Sequence, residues 1–494
     1  MKVKLNAGGY TYDVHSLVKA FYPKEDVKVI TQSEADNEEM NADSEGISVF
    51  VSSGDVSKEE KVTGYVNCEY NIGGRKTFER EEFVNADRKG VKSILKKTLY
   101  RLLSDLTGMA LPWGTLTGIR PVKIPMSMIK DGAGEEKIAE YMKEEYLCSD
   151  EKIRLATDIA HRELGILDFL DDKGYSLYIG IPFCPTTCLY CSFTSYPIVS
   201  WKKRTGEYIA ALKKEIDFTA EQFKEKRCDS IYIGGGTPTT LEAVELTDLI
   251  NYVKGKIDTS TIKEFTVEAG RPDSITTEKL KALKECGITR ISINPQTMNE
   301  STLKIIGRRH SVEDVYSAFD LARSMDFSNI NMDLILGLPG EGDEEVAFTF
   351  NKIKEMSPDS ITVHSMAIKR AAGMNEYLTK NGIKSVITPN MIDMAYKCAE
   401  KLSMKPYYLY RQKNMTGNYE NVGFAREGKF GIYNILIMEE VQSIVACGAG
   451  TVSKRVYPDG RIERCDNVKD VSLYISKQEE MIERKRELFD VPKQ

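Results

Sequence analysis

From Tyr175 to about residue 368, short apolar runs alternate with longer segments whose apolar residues recur every three or four positions. The runs are Ser176–Ile181, Ser230–Ile233, Glu264–Ala269, Arg290–Asn294, Asn329–Ile335 and Ser360–Ser365. Continuous β-branched runs joined by helix-period segments predict a parallel sheet with crossover helices, an α/β fold. Six such units predict a partial (β/α)6 barrel over residues 172–375, with an open sheet as the competing arrangement.

The flanks read differently. Residues 1–125 predict a small N-terminal α/β domain. Its strands are expected at Val3–Leu5, Ile47–Val51 and Val62–Tyr70, its helices at Val14–Phe21 and Val91–Leu106. Leu111 to Pro121 is too rich in Gly and Pro for a regular element. Residues 126–171 predict a helical connector, and 376–494 a C-terminal α+β domain covering the barrel mouth and ending in a charged helix.

Composition narrows the class. The chain has 494 residues, 41% hydrophobic and 29% charged, as for a globular protein of two or three domains. No apolar stretch approaches the roughly 18 residues of a membrane span, and MKVKLNAGGYTYDV lacks the apolar core of a signal peptide. Ten cysteines without paired spacing point to a reducing cytoplasm. A net charge of −6 argues against a nucleic-acid surface but permits a local basic pocket for an anionic substrate. Residues 29–57 hold no Lys or Arg and several acidic residues, and are expected to form a solvated, mobile loop.

Candidate chemistry sits where the strands end. After the first run come Cys184, Cys188 and Cys191 in Ile181-Pro-Phe-Cys-Pro-Thr-Thr-Cys-Leu-Tyr-Cys-Ser-Phe193. Clustered thiolates are soft ligands for an iron–sulfur cluster or zinc. Three local thiolates leave one iron of a 4Fe–4S cluster open. A structural zinc site or three core cysteines are the bland readings, but zinc sites come as paired sets and no second pair exists here. The other seven cysteines are scattered and read as structural.

After the second run, Gly234-Gly-Gly-Thr-Pro238 lets backbone approach a ligand closely. A phosphate loop is the alternative, though the Gly-Lys-Ser/Thr ending is missing, and a plain turn is another. Glu268 and Asp333 are carboxylates in apolar strands, where a charge needs a partner, either a ligand or a structural ion pair with Arg271, Arg290, Arg308 or Arg309. Gln296 is a neutral hydrogen-bonding candidate. Lys369, Arg370 and Arg411 are candidate carboxylate binders, weighed against ordinary surface cations. The lone His310 and His364 are not read as catalytic.

Taken in order, these motifs resemble the oxygen-independent coproporphyrinogen III oxidases, a radical S-adenosylmethionine (SAM) family. The matching segments are Tyr178 to Phe193, Gly234 to Thr239, Arg290 to Gln296 and Asn331 to Gly340. Trp113 to Pro121, Val267 to Pro272, His364 to Arg370 and Tyr407 to Lys454 are similar to its HemZ branch. The resemblance implies a 4Fe–4S cluster on Cys184, Cys188 and Cys191. It implies SAM contacts from Tyr178, Tyr190, Gly235, Gly236, Thr237, Glu268, Gln296, Arg308, Asp333 and Ala367, with Tyr178 and Glu268 as catalytic candidates. It further implies a tetrapyrrole substrate whose propionates become vinyl groups, with an electron donor and an acceptor that the sequence does not identify. Gly180 stands where family members usually carry histidine, leaving that residue's substrate-side role vacant.

Two other functions compete. A haem-binding chaperone branch carries His-Asn-x-x-Tyr-Trp, whereas Tyr433 to Met438 lacks its histidine, tyrosine and tryptophan. A radical SAM enzyme acting on haem or another tetrapyrrole is the third reading.

Overall fold

The computed structural model describes residues 1–23, 25–31, 45–52, 63–118, 120–366, 373–383, 385–412 and 419–490. Contacts divide the chain into two units. The first comprises Met1–His161 with Tyr410–Glu420, the second Arg162–Leu409 with Asn421–Gln494.

In the first unit, β1 (Lys2–Leu5), β2 (Lys28–Thr31), β3 (Gly46–Ser52), β4 (Thr63–Ile72) and β5 (Arg75–Val84) form a sheet in the order β2-β1-β3-β4-β5. The helices Thr11–Phe21 and Arg88–Thr107 pack on its apolar face, against Val3, Leu5, Ile47, Val49 and Val66. Gly73 and Gly74 turn the β4–β5 hairpin at φ of 60° and 79°, a conformation glycine adopts without strain. Part of the expected loop over 29–57 is strand, in β2 and β3; Glu34 to Asp43 lie outside the described residues.

The second unit is built on a parallel sheet. β6 (Gly174–Ile181) is followed by a two-stranded pair, β7 (Phe183–Cys184) and β8 (Tyr196–Pro197). Then come β9 (Arg227–Gly235), β10 (Glu264–Glu268), β11 (Arg290–Ser292), β12 (Ile330–Leu336) and β13 (Ser360–Ser365). β6 and β9 to β13 are parallel and adjacent in chain order, as the six apolar runs predict. Leu177, Ile179, Ile231, Ile233, Val267, Ile291 and Met332 are fully buried, which explains why these runs are apolar throughout. Crossover helices such as Thr205–Gln222 and Asp343–Met356 join them.

The C-terminal region departs from the expected four segments. Instead of standing as its own domain, it extends the parallel sheet at both edges. β14 (Lys405–Tyr410) and β15 (Asn421–Ala425) continue the sheet beyond β13, with β15 antiparallel to it. β16 (Ile444–Cys447) runs parallel to β6, followed by antiparallel β17 (Val452–Val456) and β18 (Ile462–Asp466), giving eleven strands in all. The final charged stretch is two helices, Val471–Ser476 and Gln478–Phe489. Among the described residues no helix is long and apolar enough to cross a membrane.

Candidate functional site

Because the six strands are parallel, their C-terminal ends share one edge, where α/β folds place their sites. β6 leads straight into the cysteine loop. Its amides and carbonyls are tied down: the Tyr196 amide donates to the Pro182 carbonyl at 2.8 Å and the Leu189 amide to the Ile306 carbonyl at 3.0 Å. The Thr186 hydroxyl donates to the Gly307 carbonyl at 2.8 Å. Arg271, itself paired with Asp273, donates to Thr186 Oγ1 at 3.2 Å and lies 3.6 Å from Cys188 Sγ.

The glycine triplet presses on this loop. The Gly236 amide donates to the Ile181 carbonyl and the Thr237 amide to the Phe183 carbonyl, each at 2.7 Å. A Cβ on Gly236 would stand 2.6 Å from the Phe183 carbonyl oxygen and 3.0 Å from Cys184 Sγ. Gly235 adopts φ of 105°, which side-chain-bearing residues rarely do. Here glycine is required by contact with the cysteine loop, so the plain-turn reading falls short.

The thiols share one electrostatic neighbourhood. Burial, aided by Cys188 and Cys191, pushes the Cys184 thiol up to about 11 against the opposing Thr237 hydroxyl. Burial likewise raises Cys191. Among the described residues no three His, Cys, Asp or Glu side chains converge on a single ion. Three half-buried soft donors in one loop suit iron ions, whose binding displaces the thiol protons.

Two carboxylates stand on β10 and β12, the strands on either side of β11. Glu268 ends β10 and accepts from Tyr232 Oη at 2.5 Å. Burial, together with Asp333, raises its pKa to about 7, although the Tyr232 hydroxyl and the Gly235 amide oppose the shift. Asp333, in β12, accepts from Asn331 Nδ2 at 2.8 Å, and His364 Nε2 lies 3.9 Å away. Burial alone would raise its pKa, but His364, Asn331 and Thr362 outweigh it and hold it below the ordinary aspartate value. Among the described residues neither carboxylate is paired with an arginine. Arg290 instead donates to Asn329 Oδ1 and the Lys429 carbonyl.

Gln296 is held at φ of 68° by an isolated bridge to Leu334. Its amide donates to the Asp333 carbonyl at 3.0 Å. Its side-chain Oε1 is buried with no hydrogen-bond partner among the described residues, as is Arg308 Nε. Arg308 also donates to the Asn294 carbonyl and to Tyr190 Oη. A strained backbone aiming an unsatisfied amide suggests a ligand.

Some candidates lie elsewhere. Arg411 is only 4% exposed and belongs to the first unit. There it donates to the Leu116 carbonyl and lies over the Trp113 ring at 5.8 Å. Ala367, Lys369 and Arg370 fall outside the described residues. Sequence reasoning set His364 aside as not catalytic and passed over Tyr232 and Tyr433. His364 reaches Asp333, signalled only by its place near the end of the sixth strand. Tyr232 and Tyr433 stack at 4.6 Å, with Tyr178 about 6 Å from each. Tyr232 was legible as the position paired with Tyr178 in the next strand; Tyr433, far along the chain, had no such signal.

The sheet with its three-cysteine loop defines a radical SAM protein, and residues 178–353 match the Radical SAM superfamily. The chain belongs to the oxygen-independent coproporphyrinogen-III oxidase-like family of HemZ. The HemZ protein of Bacillus subtilis is 42% identical over 85% of this chain and 84% of its own length. The haem chaperone HemW of the same organism is 37% identical over 39% of this chain and 51% of its own length. Coproporphyrinogen III oxidase (HemN) from Escherichia coli, a radical SAM enzyme, shares the fold at a TM-score of 0.50 and 21% identity, over 65% of this chain and 72% of that one.

Proposed function

We propose that the chain uses SAM and a 4Fe–4S cluster to decarboxylate two propionates of coproporphyrinogen III, giving protoporphyrinogen IX. One observation carries the cofactor reading: the cysteine loop packs on Gly236, where a Cβ would clash, beside two carboxylates that pair with no arginine among the described residues. Family membership supports the tetrapyrrole.

When bound and supplied with one electron, SAM and the cluster would provide radical hydrogen abstraction at the propionate β-carbon, after which loss of CO2 and transfer of one electron to an acceptor would leave the vinyl group. Cys184, Cys188 and Cys191 hold the cluster. Glu268 and Asp333 accept hydrogen bonds from the hydroxyl and ammonium groups of SAM. Gln296 Oε1 and Arg308 Nε supply a further acceptor and donor. Tyr178 lies beside Tyr232, the residue that fixes Glu268. Thr237, Tyr190 and Ala367 complete the proposed contacts. Lys369 and Arg370 follow β13 and are the proposed ligands for substrate carboxylates.

The experiment is anaerobic incubation of the reconstituted protein with coproporphyrinogen III, SAM, a reductant and an electron acceptor, read by mass spectrometry. Loss of two CO2 per substrate supports the proposal. Deoxyadenosine without any decarboxylated product would move the assignment to another tetrapyrrole reaction.

A further inference from the structure

The first unit holds a buried cation that its own carboxylates leave unneutralised. Lys96, on the buried face of the Arg88–Thr107 helix, is 9% exposed and makes no ion pair among the described residues. Its ammonium has one hydrogen bond there, to the Thr117 hydroxyl at 3.3 Å. Lys92, one turn earlier on the helix, takes the neighbouring carboxylate, Asp13, at 2.8 Å. Arg411 comes to the same loop and donates to the carbonyl of Leu116, the residue before Thr117. Burial pushes the Lys96 ammonium down to about 8; Asp13 opposes the shift, and repulsion from Lys92 and Arg411 adds to it. Burial likewise pushes Arg411 down to about 10 against the attraction of Glu420. Glu420 is itself bonded to Lys152 at 2.6 Å and to the Trp113 indole at 2.9 Å.

A buried charge without a counter-ion is costly, and a second cation beside it adds repulsion. A lysine at such a position becomes favourable when an anion supplies the missing charge. The loop leaves room for one: Gly118, next to Thr117, is exposed, and a Cβ on it would meet nothing within 4 Å. An ammonium, a hydroxyl and a guanidinium together offer several donors to one group of oxygens. A phosphate group, with a charge of about −2, offsets both cations, whereas a carboxylate offsets one. We propose that Lys96, Thr117 and Arg411 form a binding site for the phosphate group of a small molecule. The first unit thereby has a ligand of its own, and the site stands whether or not the cluster assignment does.

Inorganic phosphate is titrated into the full chain by calorimetry, and thermal unfolding is followed with and without it, for wild type, Lys96→Met and Thr117→Val. Wild type should bind phosphate and unfold at a higher temperature in its presence. Lys96→Met should bind roughly 10- to 150-fold more weakly, the loss expected for one charge-assisted hydrogen bond, and Thr117→Val about 2- to 10-fold more weakly. Without phosphate, Lys96→Met should unfold no lower than wild type, because an apolar side chain of similar length replaces a buried charge. A Lys96→Met chain that unfolds at lower temperature, or does not fold, would make Lys96 a structural residue and overturn the site. Equal phosphate binding by wild type and Thr117→Val, or none by wild type, would overturn it as well. Acetate at matched ionic strength should bind more weakly than phosphate. If coproporphyrin III, a tetracarboxylate, binds through Lys96 and phosphate does not, the site belongs to the tetrapyrrole and the phosphate assignment falls.

Discussion

Tyr232 donates its phenolic proton to Glu268 across neighbouring parallel strands at 2.5 Å. The bond stabilises the carboxylate, while burial and Asp333 destabilise it, leaving its pKa at about 7. Glu268 is therefore ionised above about 7 and protonated below. If the anion accepts hydrogen bonds from SAM, affinity should fall as pH drops from 8 to 6. Tyr232→Phe should move that transition upward, because a group favouring the anion is lost. Glu268→Gln should flatten it. Calorimetric SAM titrations of the reconstituted protein at several pH values decide, and a flat wild-type profile refutes the role. Stability carries the opposite sign. Since the folded value lies above the ordinary 4.5, this group's stabilisation is present in full below 4.5 and is lost as pH rises through about 7.

Asp333 differs in holding its charge below neutral pH, through His364, Asn331 and Thr362 acting against burial. Asp333→Asn should weaken SAM binding by about 10- to 150-fold, the worth of one charge-assisted hydrogen bond. Iron content should be unchanged. In contrast, Cys184→Ala, Cys188→Ala or Cys191→Ala should each lose the cluster's visible absorbance along with the iron. Stoichiometric zinc with no iron in protein purified without oxygen would contradict the cubane.

A buried charge network holds the last helix to the sheet unit. Lys485 and Glu215 are both fully buried and bonded to each other. Glu215 also accepts from the Gly448 amide, Tyr474 and Asn467. Lys485→Met leaves that carboxylate without its cation and should cost about 3–5 kcal/mol. Chemical denaturation of the second unit reads the effect. An unchanged midpoint would mean that the neutral donors suffice.

The six parallel strands were legible because each is buried on both faces and therefore apolar throughout, a pattern few loops imitate. Glu268 and Asp333 stood out for the same reason, as charges interrupting such runs. β15 and β16 were not legible as extensions of that sheet. Each has only a few residues, and nothing local tells a strand that joins a distant edge from one in a separate domain. Arg411 misled for a related reason: its aromatic neighbourhood was visible in sequence, but its burial against Trp113 depends on a contact about 300 residues away. The strain at Gln296 had no sequence signal, since φ of 68° is imposed by its bridge to Leu334.

Gly180 shows how a long-range contact changes a local reading. Its glycine looked like the vacancy left by a missing histidine, but a Cβ there would stand 2.5 Å from Thr451 Cγ2. Thr451 is itself buried and donates to the Gly448 carbonyl at 2.8 Å, so it has little room to retreat. The position is therefore filled from the C-terminal strands. Gly180→Ala should destabilise the chain by about 1–3 kcal/mol, the usual cost of overpacking. Thr451→Ser removes the clashing methyl and keeps the hydroxyl. The double variant should recover most of the loss, which appears as coupling in a double-mutant cycle. Gly180→His should be tolerated only with a smaller residue at 451. If Gly180→Ala alone is neutral by denaturation, Thr451 does not define this space. Substrate specificity in the family would then turn on the histidine itself and not on what occupies its place.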